Sequence, residues 1–97
     1  MVDIKNLAGK LDELTGNDFE AVEREERSAG NNAIDVSLSK SFQARLAARA
    51  LGVNPHEIKD LPLKKYSKVI VTVVSFLFND TETEEIPRNG TETQPST

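Results

Sequence analysis

The 97-residue sequence predicts an all-α fold, a small bundle of about four helices, on three observations. Residues 61–79, LPLKKYSKVIVTVVSFLFN, hold the longest apolar run, lack Gly and Pro after Pro62, and repeat apolar side chains at spacings of three and four. Asn54-Pro55-His56-Glu57 joins a capping residue, a proline at the first helical position and a glutamate three residues after the cap. Gly30 and Gly52 each close a segment with helical spacing, where a left-handed residue commonly ends a helix.

The last helix is the one the rest is expected to organise around. The β-branched run Val69-Ile70-Val71-Thr72-Val73-Val74 favours a strand by propensity, but its length and spacing favour a helix over 62–78. Leu63, Tyr66, Ile70, Val73, Val74 and Leu77 form its expected core face. Val69, Val71, Phe76 and Phe78 fall off that face, so the helix is apolar nearly all round. It is therefore either central to the core or covered by another chain.

From the start of the chain, residues 1–14 space Ile4, Leu7, Leu11 and Leu14 as a helix would, yet Gly9 and the brevity of the segment equally allow a short extended arm or β-hairpin. Asn17, with Glu20 three residues on, caps an expected helix over 18–28. That helix packs by a narrow seam of Phe19, Ala21, Val22 and Ala29, and shows Glu23, Arg24, Glu25, Glu26 and Arg27 to water. Residues 31–37 read as a linker in which Ile34, Val36 and Leu38 alternate as a short extended piece. Ser39 or Ser37 caps a helix reaching Leu51, with Phe42, Leu46 and Ala50 on one face and Lys40, Arg45 and Arg49 on the other. A short helix from Pro55 stops by Leu61, because Pro62 disfavours helical geometry in the residue before it. Residues 1–79 make one helical domain. Residues 80–97, rich in Thr and Glu with Ile86 as their one large aliphatic, are expected to be a disordered tail.

The net charge of −4 conceals a partition. Residues 1–36 carry nine acidic and four basic side chains, residues 37–68 seven basic and two acidic, and residues 69–97 five acidic and one basic. Either the acidic and basic parts of the chain meet one another, or the basic middle meets an acidic partner. There is no Cys, so no disulfide or thiolate metal site. The apolar run falls short of the roughly 18–20 residues of a membrane span. The first residues lack the apolar core of a signal peptide, so a cytosolic setting is expected.

No catalytic constellation emerges, and neither an enzyme activity nor a cofactor is expected. His56 stands alone, without a second His or a Cys to form a metal site. Ser37, Ser39 and Ser41 lack a base and read as caps, and Glu23, Glu25 and Glu26 as a solvated helix face. In residues 43–61, Ala48, Gly52 and Ile58 stand at helix-turn-helix offsets, so a small DNA-binding regulator is the runner-up reading. Against it, the reading helix would carry Pro55, Glu57 and Asp60, present no Arg or Gln to base edges, and end at Pro62.

The order TGNDFEAVERE, LSKSFQARLAARALGV, NPHEIKDLPLKKYSKV and a final SFLFN, over residues 13–79, resembles the small tail assembly chaperones of long-tailed bacteriophages and prophages. The resemblance implies a mainly helical protein of the infected bacterial cytoplasm. Such a protein keeps the tape measure protein soluble while tail tube subunits assemble around it, and is absent from the mature virion. The family also implies a longer, frameshifted form that recruits the tail tube protein. No nucleic acid or membrane partner is implied. Both ends of the chain depart from the pattern. The expected partner-binding residues are Tyr66, Phe76 and Phe78 with the adjoining Lys64, Lys65 and Lys68, meeting the tape measure protein or another copy of the chain.

Overall fold

A computed structural model describes residues 3–78. It contains α1 (Leu7–Asp12), α2 (Gly16–Ser28), a 3₁₀ turn (Val36–Leu38), α3 (Lys40–Leu51), α4 (Pro55–Lys59) and α5 (Leu63–Phe78). Among the described residues there is no strand, so the fold is all-α. The expected tail over 80–97 lies outside the described residues.

The helix at the centre is α3, not the apolar α5. Phe42, Gln43, Ala44, Leu46, Ala47 and Ala48 are all buried, and α3 packs against α1, α2, α4, α5 and the 3₁₀ turn. Its alanines explain this, because side chains of one carbon let neighbouring helices approach from several directions. Phe42 supplies the bulk, with its ring centroid 5.0 Å from that of Phe19 in a tilted arrangement. The α5 helix instead lies along one flank, against α1, α3 and α4.

Each helix end has an identifiable cause. Thr15, rather than Asn17, caps α2: its Oγ1 accepts from the Asp18 N–H at 3.4 Å, and the Asp18 carboxylate accepts from the Thr15 N–H at 2.9 Å. Thr-x-x-Asp supplies the same reciprocal pairing two residues upstream, so Gly16 and Asn17 join the helix. At the other end Gly30 is left-handed (φ 103°), its N–H donates to Arg27 O, and the Asn31 N–H donates to Glu26 O. This double closure recurs after α3, where Gly52 (φ 73°) donates to Arg49 O and Val53 to Ala48 O. Ser39 caps α3, accepting from the Phe42 N–H. The Glu57 carboxylate reaches back to the Asn54 N–H at 3.0 Å, as the sequence predicts.

One segment left open by the sequence is settled, and another differs from its expected conformation. The extended arm or hairpin is absent: residues 7–12 are helical, because a helix puts Leu7 and Leu11 on one face, and both are buried against α3 and α5. Residues 36–38 form a 3₁₀ turn rather than an extended piece. The Asp35 side chain accepts from the Ser37 N–H, which sets the turn, and buried Gln43 donates to Ser37 O at 3.0 Å.

The larger correction concerns Glu26, which is not on a solvated face. It is 2% exposed, in register with Phe19 and Val22 at spacings of three and four. One carboxylate oxygen accepts from Asn31 Nδ2 (2.9 Å); the other accepts from Ser41 Oγ (3.1 Å) and Arg45 Nε (2.7 Å). Asn31 Nδ2 also donates to Ser39 Oγ, and Lys59 Nζ to Ser41 Oγ, so the network joins α2, the following loop, α3 and α4. Ser41 is thus a network member rather than a cap. Burial pushes the Glu26 pKa up, but the hydrogen bonds from Asn31, Arg45 and Ser41 outweigh it and hold the carboxyl below its ordinary value.

Two stability outcomes follow, both read by urea unfolding. Truncating Phe42 to Ala, which is fully buried, costs about 3–5 kcal/mol. Glu26→Ala leaves three donors without their acceptor and costs about 2–4 kcal/mol near neutral pH. Because the folded-state pKa of Glu26 is lowered, its contribution is complete above the ordinary carboxylate range and is lost as pH falls through the native value. The gap between the Glu26→Ala variant and the parent therefore narrows on acidification. A gap independent of pH would show that the carboxylate charge contributes nothing.

Candidate protein-interaction surface

The acid and base partition of the sequence is resolved partly inside the molecule. Arg45 reaches Glu26 at 2.7 Å and Glu25 at 3.6 Å, and Arg49 reaches Asp18 at 2.8 Å and Glu25 at 3.9 Å. The Thr15 backbone N–H, and then Arg49, hold the Asp18 carboxyl below its ordinary value. The two arginines of the basic middle are therefore committed to α2, whereas Lys64 and Lys68 stand exposed on α5.

The α5 helix divides lengthwise. Val69, Ile70 and Val73 are buried, with Tyr66 and Leu77 half-buried beside them and packed on the core. Along one flank of that buried side Leu63 is 78% exposed, Val71 63%, Val74 37% and Phe78 48%. At about 100° per residue, Leu63, Val74, Ser67, Phe78 and Val71 follow one another within an arc of about 80°, with Lys64 and Lys68 at its edge. Leu63, Lys64, Ser67, Lys68, Val71 and Thr72 line a shallow open depression on this side. The result is an outward apolar stripe with a basic margin.

Helical spacing alone misplaces three of these residues. Leu63 and Val74, assigned to the core face, are exposed, and Val69, assigned off it, is fully buried. The apolar surface of α5 runs nearly all round, so the sequence carries little phase information. The contacts of α1, α3 and α4 decide which side turns inward.

The six expected partner-binding residues do not form one patch. Tyr66 belongs to the edge of the core. Lys64, Lys68 and Phe78 lie on or beside the stripe, whereas Lys65 and Phe76 lie on another side of α5. Phe76, 43% exposed, borders a separate groove of about 230 Å³ with Leu11, Leu14, Phe19, Leu46 and Leu77. Leu63, Val71 and Val74 complete the stripe. Their signal in the sequence is the recurrence 63, 71, 74, 78, which follows whole helical turns once the inward side is known.

Elsewhere the surface offers less. In the α3–α4 turn Ala48 and Ile58 are buried and Gly52 is left-handed, so the helix-turn-helix offsets serve packing. The α4 helix is five residues long, and the Glu57 carboxylate is held by its own cap, which argues against a base-reading role. His56 is exposed. Among the described residues no group of His, Cys, Asp and Glu is placed to hold a metal ion, and no helix is long and apolar enough to cross a membrane. Compared with protein families, curated proteins and solved structures, the chain finds no match.

The two sides of α5 respond differently to charge. Leu63→Glu or Val71→Glu, at exposed positions, changes unfolding free energy by about 0.5 kcal/mol or less. Val69→Glu, two residues away, buries an unpaired carboxylate and abolishes cooperative urea unfolding. Equal losses at Val69 and Val71 would show that the outward side is not solvent-facing.

Proposed function

We propose that this chain is a non-catalytic assembly chaperone that covers the apolar seam of a long helical client until the client is packed into its final structure. The observation that carries the reading is the stripe of Leu63, Val71, Val74 and Phe78, left exposed on a helix whose other side is buried. A helical seam laid along such a stripe exchanges water-facing apolar surface for contact on both partners. Lys64 and Lys68 favour a client with carboxylates beside its seam and repel strongly basic ones. Before assembly a long apolar seam promotes aggregation unless another surface occupies it.

Within the setting that the sequence resemblance implies, the client is the tape measure protein of a long-tailed phage and the site of action is the cytoplasm of the infected bacterium. The chaperone would be left out of the finished tail, and a longer frameshifted form would bring in the tail tube protein. Apart from the resemblance, the support for this reading is physical: an exposed apolar stripe at helical period, with a basic margin, on a small helical protein.

The test is co-expression with the tape measure protein, measuring the client that remains in the soluble fraction. The parent chain keeps it soluble, whereas Leu63→Glu combined with Val71→Glu weakens capture by about tenfold or more. Replacing Lys64, Lys65 and Lys68 by Glu weakens capture at low salt and much less at high salt, because screening already reduces the attraction there. A stripe variant that solubilises the client as well as the parent does removes the reading. Retardation of random duplex DNA at low salt would favour the DNA-binding alternative instead.

A further inference from the structure

We infer that, when no client occupies it, the outward stripe of α5 pairs with the same stripe of a second copy in antiparallel register, forming a weak two-fold dimer. The pairing stands on the geometry and charge of this face. Only its role as a holding state that the client displaces rests on the chaperone reading.

The stripe is suited to a two-fold arrangement because it is nearly symmetric about its middle. Leu63 and Phe78 mark its ends, and Val71 lies close to halfway between them. With a dyad near Val71, Leu63 of one copy meets Phe78 of the other, Ser67 meets Val74, and the two Val71 side chains approach each other. This gives a self-complementary contact, as an isologous interface requires. The helix is about 24 Å long, so the whole stripe is covered in one register.

Charge selects antiparallel over parallel. In parallel register Lys64 and Lys68 would lie beside the same lysines of the second copy, a like-charge juxtaposition. Antiparallel pairing places Lys64 at the C-terminal end of the other α5, where unpaired carbonyls carry partial negative charge, and sets Lys68 opposite residue 73, away from the like-charged lysines. The chain continues from that end with Asp80, Glu82, Glu84 and Glu85, four carboxylates within seven residues of Phe78. One helix pair covers far less than the roughly 1,600 Å² of a standard interface, so the dimer is weak and exchanges readily.

The test uses the full chain. In sedimentation equilibrium the apparent mass rises from 10.7 kDa toward twice that value with concentration. Val71→Glu, at a solvent-exposed position, weakens association at least tenfold, and Lys64→Glu with Lys68→Glu weakens it more at low salt than at high salt. The chain has no cysteine, so introduced ones report register without background. Under mild oxidation Val71→Cys links to itself, and Leu63→Cys links to Phe78→Cys in a mixture but not to itself. A monomer up to about 1 mM, a dimer untouched by Val71→Glu, or preferential self-linking of Leu63→Cys each overturns the pairing. None of these results bears on client capture, which the solubility assay reads separately.

Discussion

Everything in this fold depends on one short helix being contacted from several sides at once. In α3 the residues from Phe42 to Ala48 are buried with the single exception of Arg45, and even that side chain is only 21% exposed. A helix so enclosed can have few large side chains, and the alanines at 44, 47 and 48 are what allow α1, α2, α4 and α5 to share it. The cost falls on α5. Once α3 has given a side to each of the others, α5 receives cover along one flank only, and a domain this small has no further element among its described residues to supply the rest. The exposed stripe is thus a consequence of the packing plan and not a local accident of sequence.

Glu26 shows how the plan is held in register. A buried carboxylate paired with an arginine is weak evidence for net stabilisation, since desolvation offsets much of the attraction. Its stronger effect is to specify one arrangement. The same carboxylate accepts from the loop after α2, from the first turn of α3 and from Arg45, so sliding α2 along α3 would break all three bonds. The ion pairs also draw on the basic segment: Arg45 is spent on Glu26 and Glu25, and Arg49 on Asp18 and Glu25, all in α2. What remains outward of that segment includes the lysines of α5.

Much of the fold was legible because local chemistry sets helix ends. Gly30, Ser39, Gly52, Asn54 and Pro55 act at their own positions, and no tertiary contact is needed to interpret them. The N-terminal helix was not legible, since six residues containing Gly9 have no intrinsic preference strong enough to decide; burial of Leu7 and Leu11 decides it. Glu26 was hidden by composition, for it sits in the run Glu23–Arg27 that looks solvated throughout, although its spacing from Phe19 and Val22 was visible. On α5 the existence of the helix could be read and its rotation could not. Where apolar residues occur on every side, periodicity has no contrast, and the inward side is fixed only by partners distant in sequence.

That same lack of contrast bears on what the stripe can do. A helix with a sharp apolar face has one place to bury it, and folding uses it up. In α5 folding consumes Val69, Ile70 and Val73 and still leaves Leu63, Val71, Val74 and Phe78 in water. The leftover surface is moderated: Ser67 interrupts it, and Lys64 and Lys68 border it, so it is less adhesive than an unbroken run would be. Such moderation suits reversible contact. A surface that held its partner as tightly as a core holds its own helices could not release it, whereas a few exposed aliphatics and one aromatic can be exchanged for a larger or better-matched seam. The lysines then act chiefly on which partner approaches and in what direction, leaving the strength of the contact to the apolar side chains.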